Sequence, residues 1–188
     1  SDGIVSFVCL GDEVVKCKMN GVFGVLGLAG TLCLAGLATG RPVRGAIEIA
    51  WGVELQPGEL YGPAVACAYE LENAVAQYPR IVVGPETMRY LKRHANNPDQ
   101  SVFASVDREF AALCLSMLAR DEDGHWIVHY LGDKFQSAIT HEHHLELYSA
   151  AAKFVGEQVA LYQSDKNSKL AFRYSHLSRY FQAHQPEE

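Results

Sequence analysis

Apolar and polar positions divide the chain into strand-like and helix-like segments in an irregular order. Ile4 to Leu10 has the β-branched and aromatic content of a strand, and Gly11-Asp12-Glu13 closes it with acidic residues placed for a helix start. Asn20 to Gly40 carries no charge over 21 residues and predicts a long helix. Arg41-Pro42 breaks that helix. Val43 to Leu55 reads as a second long strand, closed by the turn Gln56-Pro57-Gly58-Glu59. Gly62-Pro63 starts a helix running to about Gln77, with proline near its first position. Tyr78-Pro79 stops it, Arg80 to Val83 is a short buried strand, and Gly84-Pro85-Glu86 begins a short helix to about His94. Phe110 to Ala119 and His125 to Leu131 read as strands joined by the turn Asp121-Glu122-Asp123-Gly124. Two helical patterns, Thr140 to Gln163 and Ser168 to His184, close the chain.

This order predicts an α+β domain over 1–135 and a C-terminal helical pair over 136–188. The polar stretch Ala95 to Gln100 is the one internal linker signal. The uncharged run is long enough to span a bilayer. It holds six of the sixteen glycines, however, and has Lys16, Lys18, Arg41 and Arg44 on both flanks. A helix buried against a sheet is therefore expected, with a membrane role not expected.

Composition narrows the classes. At 188 residues and 48% hydrophobic, the chain can bury a sizeable core. A net charge of −6 argues against a nucleic-acid partner, while leaving a small anion held through a metal. The five cysteines form no C-x-x-C pair, so neither a disulfide framework nor a zinc ribbon is expected, and a reducing cytoplasm is. The chain opens with Ser1-Asp2-Gly3 and an apolar stretch, without an initiator Met, signal peptide or basic leader, and so reads as beginning inside a strand.

Three features carry candidate chemistry. Asp2 heads a strand, where a carboxylate can hold a divalent cation. Arg44-Gly45-Ala46-Ile47 opens the long strand. Gly62-Pro63-Ala64 leads into Ala68-Tyr69-Glu70-Leu71-Glu72, followed by Tyr78-Pro79-Arg80-Ile81. In that order and spacing, these residues resemble the catalytic domain of class III nucleotidyl cyclases over about residues 1–93. The likeness is to the divergent bacterial branch that includes pyrimidine cyclases of anti-phage signalling.

The resemblance implies a ferredoxin-like, cyclase-type sheet containing antiparallel strands, with helices packed on one face. It implies a homodimer with each active site between subunits, and conversion of a nucleoside triphosphate, UTP or CTP in this branch, to a 3′,5′-cyclic nucleotide. Two Mn²⁺ or Mg²⁺ ions would orient the triphosphate and activate the 3′-hydroxyl. Asp2 falls at one of the two metal-binding aspartates, 42 residues before Arg44, and Asp12 is its rival. The other aspartate is expected on a strand before Asp2. Glu59 falls where a carboxylate reads the base, and Tyr69 is placed to stack on one. Ala66 stands where familiar cyclases carry a ribose-orienting Asn, and Glu70 where they carry a transition-state Arg. Arg44, as a catalytic cation, or Arg80 at the nucleotide would then meet the phosphates. The same departures suit an alternative, a catalytically silent module that binds nucleotide or dimerises.

His141 and His144 are three apart and could share one helix face. Leu145 occupies the position of the second histidine in an H-E-x-x-H motif, so the zinc protease pattern fails and a solvated helix start is expected. His176, Arg179, Tyr180 and His184 form a polar and aromatic stripe on the last helix, expected at a surface or interface.

Overall fold

The computed structural model describes residues 3–11 and 17–186. In chain order, α1 (Lys18–Ala38) leads to β1 (Gly45–Ile47), the ribbon β2 (Val53–Gln56) and β3 (Glu59–Tyr61), and α2 (Pro63–Ala74). Next come β4 (Ile81–Val83), α3 (Pro85–Ala95), α4 (Val102–Ser116), β5 (Leu118–Arg120) and β6 (Trp126–Val128). A short helix, α5 (Asp133–Phe135), passes through a π turn at Gln136–Thr140 and a 3-10 turn at His141–His143 into α6 (His144–Ser164) and α7 (Ser168–Ala183).

The fold is α+β. A four-stranded mixed sheet runs in the order β1-β4-β6-β5, with β1 parallel to β4 and the other neighbours antiparallel. The crossover from β1 to β4 carries the separate β2–β3 ribbon and α2. Every residue of β4 is buried, as its unbroken Ile-Val-Val run demands of a central strand. The C-terminal helices α6 and α7 pack on each other, and α6 also packs on α1.

The core is built around α1, whose Met19, Leu26, Cys33, Leu34 and Leu37 are fully buried. A helix apolar on all sides needs extensive cover, and α4 and α6 supply it. By length and composition α1 is also the one helix among the described residues apolar enough to cross a membrane. Its glycines let neighbours approach closely. A Cβ on Gly30 would collide with the Phe135 ring and Val128, and one on Gly27 with Ile139. Asp107 of α4 accepts the Met19 N–H at 3.2 Å, which sets a carboxylate on the positive end of α1.

Three segments differ from the sequence expectation. Phe110 to Ala119 is not a strand: α4 occupies most of it and only Leu118–Arg120 is extended. Its buried residues Ala104, Asp107, Ala111 and Cys114 fall at helical spacing, and the Ser101 side chain caps it by accepting the Ala104 N–H. Val43 to Leu55 is broken, because the backbone leaves the main sheet after Ile47 and resumes as β2 in the ribbon. Residues 3–10 form no strand and join none. The polar stretch after α3 is the turn between α3 and α4, which pack together.

Candidate functional site

The region singled out by sequence lies around α2. Gly62 adopts φ +113° at the start of this helix, a conformation L side chains rarely take, and the Trp51 ring packs on it. Pro63 fills the first helical position, and the Ala64 N–H donates to Trp51 O at 3.0 Å. α2 has no basic residue in its own last turn. Two arginines from neighbouring strands supply the missing donors: Arg44 Nη1 donates to Ala76 O at 3.2 Å and Arg80 Nη2 to Val75 O at 2.7 Å. Both cations therefore sit at the negative end of α2.

Their environments then diverge. Arg44, just before β1, is 41% exposed and its Nε pairs with Glu72 at 3.1 Å. Arg80 is 3% exposed and lies between Asp121 and Asp123, each 2.5 Å away. Tyr78 donates to Asp121, and the Arg80 guanidinium stacks over the Tyr78 ring. His176 of α7 reaches Asp121 through Nε2 at 3.1 Å and Glu122 through Nδ1 at 3.1 Å. Burial pushes the Asp121 carboxyl up, but hydrogen bonds from Tyr78 and Arg80 outweigh it and hold the group below its ordinary value. Burial and the bond to Asp121 push the Tyr78 phenol well up. Arg80 is thus a buried cation matched by carboxylates, joining β4, the β5–β6 turn and α7.

Glu59 and Tyr69 are both exposed. Glu59, on β3, accepts from the Tyr61 hydroxyl at 3.3 Å. Tyr69 projects from α2 and is 63% exposed. No hydrogen bond or ion pair among the described residues joins either of them to Arg44. Ala66 and Glu70 lie on exposed positions of α2. Asp2 and its rival Asp12 lie outside the described residues.

Two carboxylates of this region, Glu48 and Glu72, are already engaged. Glu48 accepts the Thr87 N–H at 2.9 Å and the Thr87 hydroxyl at 3.0 Å, capping α3 from outside, and Glu72 holds Arg44. Among the described residues no three His, Cys, Asp or Glu side chains gather in a metal-holding group.

A second polar cluster lies between the β5–β6 hairpin and α7, in a cleft of about 250 Å³ with Ile127, His129, His176, Arg179 and His184 among its lining. Tyr180 organises one end of it. Its hydroxyl meets His129 Nδ1 at 2.8 Å and accepts the Leu131 N–H at 3.3 Å, while its carbonyl meets His184 Nδ1 at 2.8 Å. The two imidazoles touch edge to face, with centroids 4.5 Å apart. Burial, and then the neighbouring His184, push His129 down to about 4, so it is neutral at pH 7.

No protein family, curated protein or solved structure matches this chain. Its residues must speak through their own geometry.

Sequence reasoning missed the Arg80 cluster because Asp121 and Asp123 read only as turn formers. The one available signal was the charge density of Asp121-Glu122-Asp123 beside an apolar strand. The stripe on α7 was expected at a surface or interface, and its His176 and Tyr180 face the hairpin. In the His-rich segment, His141 and His143 are exposed, whereas His144 is buried and its Nδ1 bonds the Thr140 hydroxyl at 3.0 Å.

Proposed function

We propose that this chain is a nucleotidyl cyclase homology domain acting as a cytoplasmic homodimer. Its reaction converts a nucleoside triphosphate, UTP or CTP in the branch it resembles, to a 3′,5′-cyclic nucleotide. The ribose 3′-oxygen bonds to the α-phosphorus, the bond from that phosphorus to the leaving pyrophosphate breaks, and the hydroxyl proton passes to solvent. Mn²⁺ or Mg²⁺, when bound, would supply charge neutralisation to the triphosphate and acidify the attacking hydroxyl.

One observation carries this reading: the continuous unit from Arg44 to Val83. It carries Arg-Gly-Ala-Ile at its first strand, then a glycine-initiated helix and a short strand, the order on which the resemblance rests. Arg44 is the cation this unit leaves accessible. Its ion pair with Glu72 is partly exposed, and such pairs contribute only about 0–1 kcal/mol. An incoming phosphate can therefore displace Glu72.

The exposed apolar side chains at and just before the ribbon support the homodimer. Trp51 is 69% exposed and Leu55 65%. An isolated two-stranded ribbon is marginally stable in water, and a second copy would cover these side chains. Trp51→Ser/Leu55→Ser is expected to turn a dimer into a monomer in light scattering without loss of helicity. A wild-type protein that is monomeric at micromolar concentration removes the homodimer.

A second reading, a silent module that binds nucleotide without turnover, is favoured by Glu70 and Ala66 at the expected Arg and Asn positions. The deciding experiment incubates the protein at its full natural length with each of four nucleoside triphosphates and Mn²⁺, separating products by chromatography. A cyclic product lost by about 10²-fold or more in Arg44→Ala supports catalysis. Binding without any cyclic product selects the silent module, and neither binding nor product removes both readings.

A further inference from the structure

We propose that Lys92 and Arg120, held over Trp126, form a binding site for a small anion bearing two or more phosphates. This face lies at the β5 edge of the sheet, and the unit containing Arg44 lies at the β1 edge, so the inference does not rest on the function proposed above.

Arg120 and Trp126 are opposite each other in the β5–β6 register. The Arg120 guanidinium carbon sits 5.2 Å from the centre of the Trp126 ring, and Lys92 Nζ, reaching over from α3, sits 6.0 Å from it. Two like charges on one ring repel each other, and an exposed ring attracts each of them only weakly. Neither cation has a carboxylate within ion-pair distance among the described residues, nor does the adjacent Arg93, which lies over Tyr90. What sets Lys92 and Arg120 apart is that two unpaired cations from different elements meet over one ring.

The helix offers only part of an explanation. Lys92 and Arg93 occupy the last turn of α3, where cations complement the carbonyl end. Arg120 comes from an edge strand, and its own backbone contact, to Gly124 O, is 3.5 Å long. What Lys92 and Arg120 share is an unpaired charge above the same indole, with Arg93 beside them on α3.

The chemistry of the donors selects the ligand. A guanidinium presents a planar fork to phosphate oxygens, and an ammonium adds a point charge. Donors on two different elements, both held by one ring before the ligand arrives, suit an anion with charge spread over neighbouring phosphates more than a single carboxylate. Holding the side chains in place beforehand lowers the ordering cost of binding.

The probe is inorganic tripolyphosphate, titrated at low salt into the protein carrying Trp51→Phe. Trp126 is then the sole tryptophan, and its fluorescence reports the site. The expected result is a saturable change, weakened tenfold or more in Lys92→Ala/Arg120→Ala and weakened by added salt. Lys153→Ala, an exposed cation on α6, is expected to leave it unchanged. Both substituted cations are exposed, so circular dichroism should show an intact fold. A response matched by sodium chloride or sulfate at equal ionic strength overturns the proposal. Undiminished binding in the double variant does so as well.

Discussion

Replacing Arg80 with methionine separates a structural cation from a ligand-binding one. The substitution keeps most of the aliphatic stem and removes the guanidinium from between Asp121 and Asp123. Asp121 is 7% exposed and would keep only Tyr78, His176 and the Glu122 N–H as partners. Val75 O would lose one of its two donors in the same change and keep the Gln77 N–H. Removing one member of a buried ion pair costs about 3–5 kcal/mol, because the remaining charge stays out of water without its partner. In a domain of this size each kcal/mol shifts Tm by about 2–4 °C, so a fall of roughly 6–20 °C is expected. Urea unfolding followed by circular dichroism measures it, with an unchanged slope marking a change in stability rather than in the unfolded state. Asp121→Asn should also destabilise, and the double variant should lose less than the two losses added together, by about 0.5–3 kcal/mol. A single-variant loss below about 1 kcal/mol with strict additivity would refute the reasoning. It would return Arg80 to the pool of cations available for phosphate.

Two further outcomes test the packing and the second cluster. His129 has a folded pKa of about 4 against an ordinary 6.5, so the unfolded chain holds more protons between those values. Stability should therefore fall as pH drops from 6.5 towards 4, at no more than about 1.4 kcal/mol per pH unit for this one group. His129→Gln should flatten that slope in a pH series of urea midpoints, and an unchanged slope refutes the assignment. Gly30→Ala should destabilise by about 1–3 kcal/mol through collision with Phe135 and Val128. Gly24→Ala, on the open side of α1 with nothing within 4 Å, should stabilise by roughly 0.5–1 kcal/mol. Thermal unfolding of the two variants should move in opposite directions.

Much of the architecture is legible in local signals. Pro63 and Pro85 mark two helix starts to the residue, and Asp121 to Gly124 marks the β5–β6 turn. The α4 segment was misread because Phe110-Ala111-Ala112-Leu113-Cys114-Leu115 is an apolar run compatible with either a buried strand or a buried helix. Its Ser101 cap and the spacing of Ala104, Asp107, Ala111 and Cys114 decide for helix. The break after Ile47 has a different cause. Glu48 turns its carboxylate onto the start of α3, where Gly84 leaves room for it, and a strand continued in the same sheet would lose that cap.

The candidate residues divide along the same line. Sequence alone determines the α+β class, the starts of α2 and α3 and the presence of an apolar helix, because periodicity, proline and glycine act within a few residues. It also places Arg44 and Arg80 at the starts of two strands. Only the tertiary structure decides which arginine remains accessible. Asp121 lies 41 residues from Arg80, and His176 lies 98 from Tyr78. No local pattern encodes their meeting. Burial among those distant carboxylates commits Arg80 to the fold, and one half-exposed glutamate leaves Arg44 open to solvent.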